Sequence, residues 1–171
     1  MTHVKEGFED GPGGGGPLDS LAFLLSQLGF VASRGFHQAL LPLGIEPRHF
    51  LLMRHVLRDE GRSQQSLGEM LRIPPSRMVA LVDQLEERGL LERRANPSDR
   101  RARALFVTPA GRRLMGKAFQ VAIEHNARMG ETLSTEERSR LIALLQKLAA
   151  EKGLLMGVHP GLTGDDPKAA S

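Results

Sequence analysis

The sequence predicts a mainly helical fold interrupted once, near its middle, by a two-stranded β hairpin. Three observations carry that prediction. Apolar residues recur at helical spacing on both flanks of the 171-residue chain, and serine, proline and glycine punctuate those runs at helix starts and stops. Only Leu90–Ala95 and Arg103–Val107 read as strands, on either side of the polar turn Asn96-Pro97-Ser98-Asp99. With 40% hydrophobic residues the chain suits one domain with a modest core.

The stretch from Ser63 to Gly111 organises the rest. Ser63 is a helix N-cap whose hydroxyl can satisfy a free amide of the first turn, and Leu67, Met70 and Leu71 follow at helical spacing. Pro74 and Pro75 end that helix, because proline has no amide donor and disfavours helical geometry in the residue before it. Pro75 also suits the first position of a new helix, in which Met78, Leu81, Val82 and Leu85 form a buried stripe and Gly89 the stop. Two helices joined by so tight a break form a helix-turn-helix, whose second member enters the DNA major groove N-terminus first. The hairpin after Gly89 is then a wing. The predicted class is mainly α: a winged helix-turn-helix with a two-stranded β wing, flanked by N- and C-terminal helices.

Charge singles out the same region. The net charge is only +3, with a pI near 9.8. From Arg88 to Lys117, however, nine basic residues face Glu92 and Asp99 alone. Arg93, Arg94, Arg100, Arg101 and Arg103 crowd the wing, a shape and charge suited to a narrow minor groove or to phosphates. Asp99 reads as an orienting partner for Arg101. Arg101 is the expected minor-groove residue, with Arg100 one register position away; Arg93, Arg94 and Arg103 are expected to touch phosphate or solvent. On the second helix, Ser76 and Arg77 are the expected base readers, since arginine can grip guanine with two bonds. Val79 and Ala80 either touch a thymine methyl or pack, and Ser63 completes the expected DNA-contacting set.

Of the flanks, residues 1–17 end in GPGGGGP and are expected to be a disordered arm. Leu18 to Leu41 forms a long helix whose apolar residues spread too far around the cylinder for one small core, so a partner subunit is expected to cover it. Pro42 and Gly44 break it, and Pro47 opens a helix carrying Phe50, Leu51, Met53, His55, Val56 and Leu57. After the wing, Thr108-Pro109 opens another long helix. Ser134-Thr135-Glu136-Glu137 is a capping box before a last helix with Leu141, Leu144, Leu145 and Leu148 inward. The domain is thus 18–153, with the winged helix-turn-helix at about 47–108, and 154–171 is expected to be largely disordered.

Absences bound the chemistry. With no cysteine, disulfides and thiolate metal sites are excluded, and the scattered His37, His49, His55 and His125 do not suggest a metal centre. Met53, Met78, Met115 and Met129 read as core filler. No phosphate loop, nucleophile motif or carboxylate pair points to an enzyme, and no cofactor is expected. No signal peptide or apolar span is apparent, so a cytoplasmic protein without a membrane partner is expected.

The run LVDQLEERGLLERRANPSDRRARALFVTPAG, from Leu81 to Gly111, resembles the signature of MarR-family transcription regulators: the end of a recognition helix, a LExxGLxxR corner, a wing with DRR and a TPAG helix start. The resemblance implies a homodimer, its terminal helices 18–41 and 109–153 used for dimerisation, reading double-stranded DNA as a palindromic operator with recognition helices ~34 Å apart. It places the wing arginine at Arg101, its partner at Asp99 and the base-reading turn at Ser76–Ala80. Pro74 and Ala80 depart from the family's usual polar residues, which leaves the operator sequence open. The resemblance also implies a small phenolic or anionic effector in a cleft beside the DNA-binding lobe, with Phe30, His37, Arg48, His49 and Met53 as lining. The expected role is a transcriptional repressor relieved by that effector. Alternatives are a small-molecule-binding protein of the same fold without operator recognition, and a sequence-blind architectural DNA binder.

Overall fold

The computed structural model describes residues 20–96 and 99–163; the expected N-terminal arm, Pro97, Ser98 and the end of the tail lie outside the described residues. In chain order the elements are α1 (Leu21–Leu40), a 3-10 turn (Leu41–Leu43), α2 (Pro47–Arg58), α3 (Gln64–Leu71), α4 (Pro75–Glu87), β1 (Leu91–Asn96), β2 (Asp99–Val107), α5 (Pro109–Met129), α6 (Thr135–Glu151) and α7 (Pro160–Thr163). This is the mainly helical class with one β hairpin that the sequence predicts.

Local chemistry sets the helix starts. Ser20, Ser63, Thr108 and Ser134 each accept an amide of the first turn with the side-chain hydroxyl. Ser134 and Glu137 satisfy each other's amides, and the two hydrogen bonds from Ser134 hold the Glu137 carboxyl below its ordinary pKa. Glu46 and His49 form a second such box ahead of α2 that the sequence reading does not anticipate. There His49 Nδ1 accepts from the Glu46 amide (3.2 Å), so the ring proton sits on Nε2, which donates to Gln84 Oε1 on α4 (3.0 Å).

The helix-turn-helix packs as its stripes require. Leu67 and Leu71 of α3 and Met78, Leu81, Val82 and Leu85 of α4 are buried against Leu52, Met53 and Val56 of α2 in one apolar cluster. Met70 is 41% exposed, outside the stripe the spacing suggested. Between the helices Arg72 is left-handed (φ 54°), followed by the buried anchor Ile73, whose amide donates to the Gly68 carbonyl (2.9 Å). Glycine holds that conformation freely, whereas a residue with a Cβ is strained there by about 1 kcal/mol.

β1 and β2 pair antiparallel with Leu91 opposite Val107 and Ala95 opposite Arg103; a register shift then sets Asn96 opposite Asp99. β2 therefore begins at Asp99 rather than Arg103, because backbone pairing to β1 outweighs the weak strand preference of the arginine run. The hairpin has a third, single-bridge partner. Ser63 bridges Ala104, the Gly61 amide donates to the Leu105 carbonyl (3.0 Å) and the Leu105 amide to the Arg62 carbonyl (3.0 Å), which ties the wing to the start of α3.

The chain end corrects an expectation. Beyond α6 the backbone turns through left-handed Gly153 and Gly157, and α7 carries Leu162 into the core at 0% exposure. Buried His55 on α2 donates from Nε2 to the Gly157 carbonyl (3.1 Å); burial, with Arg54 and Arg58 adding, outweighs that bond and lowers its pKa. Glycine- and proline-rich composition suggests a largely disordered 154–171, whereas α7 packs Leu162 into the core and Gly157 bonds to His55 of α2.

Candidate nucleic-acid interface

Burial of Met78 and Leu81 turns the opposite side of α4 outward, so that Ser76, Val79 and Ala80 are exposed and Arg77 is half-buried at its margin. The expected base-reading residues thus share the N-terminal turns of one helix. Pro74 precedes that helix without offering a side-chain cap. The helix dipole adds partial positive charge at that end. Ser63 differs: its hydroxyl oxygen already accepts the Ser66 amide (3.1 Å), so its first task is to start α3.

The wing arginines divide. Asp99, Arg100 and Arg101 lie in β2, but their side chains fall outside the described residues. Arg103 is exposed beside them. Arg94 is paired with Glu92 and lies over the Phe106 ring, 4.5 Å from its centroid.

Arg93 corrects the expectation of a phosphate contact. Its side chain, 18% exposed, is bound by Glu86 and Asp83 of α4 and donates from Nε to Gln64 Oε1 of α3 (2.9 Å), while its amide donates to Glu86 Oε1 (2.9 Å). It is a buckle holding β1 to both helices of the helix-turn-helix, with its charge already met. Arg112 is similarly paired with Glu60, whose other oxygen accepts the Val107 amide (3.0 Å). The positive surface is therefore narrower than the count of arginines implied. Arg93→Ala is expected to cost roughly 1–2 kcal/mol, discounted because its partners are partly solvated. Arg93→Lys should recover only part of this, since an ammonium cannot span three acceptors in a fixed fork. Thermal unfolding of the two variants checks the order.

The expected effector residues are not brought together within one chain. Met53 is wholly buried core, and His49 is the cap and bridge described above. Arg48 is paired with Glu46. Phe30 and His37 are exposed on α1, Phe30 at 66%. The resemblance that names them carries no information on the capping box, which turns His49 inward. What α1, α2 and α5 do share is an aromatic cluster: Phe36 meets Phe50 edge-on (5.4 Å) and the His125 ring (5.6 Å), and Phe50 meets Phe119 (5.4 Å). Among the described residues no group of acidic or histidine side chains is placed to hold a metal, and no helix is long and apolar enough to cross a membrane.

Comparison with known proteins agrees with this geometry. The family model described as MarR family matches residues 43–102, from the turn before α2 through most of the wing. Over 135 residues the chain is 30% identical to a Thauera aromatica protein named as a transcriptional regulator of the hcr operon, covering 78% of this chain and 81% of that one. The chain belongs to the MarR family. Its winged helix is the family's DNA-binding element, and the protein is a transcriptional regulator. Among solved MarR-family structures, the repressor CouR bound to a 23-mer DNA duplex is 30% identical, with a TM-score of 0.69 over 76% of this chain and 92% of CouR. CouR from Rhodococcus jostii RHA1 bound to p-coumaroyl-CoA is 32% identical, with a TM-score of 0.65 over 77% of this chain and 92% of that one.

Proposed function

We propose that this MarR-family regulator represses transcription by binding a palindromic operator as a homodimer, and that a small aromatic acid or its coenzyme A thioester releases it. The observation that carries the dimer is the state of the outer helices. Leu21, Leu25 and Leu28 of α1 and Leu141, Ile142 and Leu145 of α6 line one open trough with exposures between 37% and 60%, and α6 buries no residue in its own chain. An apolar face that long is stable in water only when covered, and a second copy offers the same face by symmetry. Two-fold pairing there would present two α4 N-termini to successive turns of one duplex face. Release needs no catalytic step, only an effector that prefers the dimer with misplaced recognition helices. The effector class follows from the ligand in the CouR complex and from the aromatic cluster. A regulator of this kind works in the cytoplasm, where its operator is.

The test is a titration of the protein against its own upstream region and a scrambled duplex at two salt concentrations, with and without p-coumaroyl-CoA. Preference for the upstream region, lost on adding the thioester, supports the proposal. Equal affinity for both duplexes would mark an architectural binder. For Arg101→Ala the expected result is a loss of about ten- to a hundredfold in operator affinity with an unchanged melting temperature, the effect of one charge-assisted contact. If affinity holds, the wing contact belongs to Arg100 or does not exist.

A further inference from the structure

The turn of the helix-turn-helix carries an arginine where a helix stop usually has glycine. Arg72 is the only residue other than glycine with a positive φ among those described, and it stands where a glycine would sit without strain. Its side chain is exposed and forms no ion pair among the described residues. The backbone has an internal reason for this turn: the Arg72 amide donates to the Glu69 and Gly68 carbonyls and the Ile73 amide to Gly68, which caps α3 and buries Ile73. That cap accounts for the backbone and leaves the arginine side chain to be accounted for.

Its position indicates the role. Arg72 lines one groove with Gln65, Pro74, Pro75 and Val79, at the N-terminal end of α4. Ile73, buried at 4% exposure, and the two prolines fix the backbone after it, so the arginine leaves the protein from a defined point beside the base-reading turn. The one acid in that groove, Glu69, has its carboxylate engaged by Gln65 Nε2 (2.9 Å). We propose that Arg72 is a DNA-contacting residue that grips a backbone phosphate at the edge of the major groove entered by α4. The exposed side chain starts from the end of α3, in the groove it shares with the first turn of α4. This rests on the operator-binding reading above and adds a contact that positions the recognition helix without reading sequence.

Three variants of the full chain, Arg72→Gly, Arg72→Ala and Arg72→Lys, separate strain from charge. Affinity for the upstream and scrambled duplexes is measured by fluorescence anisotropy over a salt series, beside thermal melting. Arg72→Gly and Arg72→Ala are expected to weaken both duplexes by the same factor, about tenfold, and to lower the salt-dependence slope by about one. Arg72→Gly alone should melt higher, by roughly 2–4 °C, and Arg72→Lys should bind within a few-fold of the wild type. Unchanged affinity in Arg72→Ala overturns the proposal, and a loss confined to the upstream region overturns the phosphate assignment by marking a base contact. If the wild type itself binds neither duplex, operator binding fails and Arg72 with it; wild-type binding with unaffected variants sinks Arg72 alone.

Discussion

Replacing Leu145 with glutamate is expected to convert the dimer to a monomer and lower operator affinity at least a hundredfold, while each chain stays folded. In one chain Leu145 is 37% exposed and α6 buries nothing, so a carboxylate there meets water and the subunit loses little. At the proposed interface the same carboxylate is buried without a partner, which costs about 3–5 kcal/mol, more than two powers of ten in the association constant. Leu28→Glu on the facing wall of the trough, at 54% exposure, should act alike. Sedimentation and anisotropy measured on the same samples check the coupling. A dimer that persists in both variants would place the interface elsewhere, and a native protein that is monomeric at working concentrations would remove the two-fold geometry on which operator reading depends.

Gly111→Ala is expected to destabilise the fold by about 3 kcal/mol, lowering the melting temperature by roughly 10 °C. An added Cβ would stand 2.2 Å from the Leu90 carbonyl oxygen and 2.8 Å from Val107 Cγ1. Alanine is the better helix former by about 1 kcal/mol, but here the clash decides the sign. The obstructing atom is backbone at the foot of the wing, where Thr108 also donates to the Gly89 carbonyl (2.6 Å). Either α5 or the wing must shift, and both position the DNA-binding surface. Thermal unfolding gives the magnitude; an unchanged melting temperature would show that the helix start accommodates a methyl group. Gly116, exposed on another side of α5, has nothing within 4 Å of its added Cβ and serves as the control.

Much of this architecture was readable from residues close together in the chain. The caps at Ser63, Thr108 and Ser134 act on amides within about three residues. The prolines at positions 47, 75 and 109 open helices for reasons internal to proline, and Gly44 and Gly89 close turns because they alone reach left-handed geometry cheaply. The stripe of Met78, Leu81, Val82 and Leu85 states which side of α4 is buried, and hence that Ser76 faces outward, while the exposure of Val79 and Ala80, which the sequence left open, came from the fold. Arg72 left no such trace, since nothing in its type suggests a left-handed backbone.

Tertiary structure alone decided which charges are available and which segments are ordered. Arg93 reads like its neighbours in the sequence, yet strand pairing carries it onto Asp83, Glu86 and Gln64, while Arg94, one residue on, points to the other face. Leu162 sits in a stretch of unpromising composition, and its burial depends on α2, a hundred residues earlier in the chain. Periodicity and capping are short-range properties, written in each residue's neighbours. Ion pairing and burial depend on distances between parts of the chain that only the completed fold brings together.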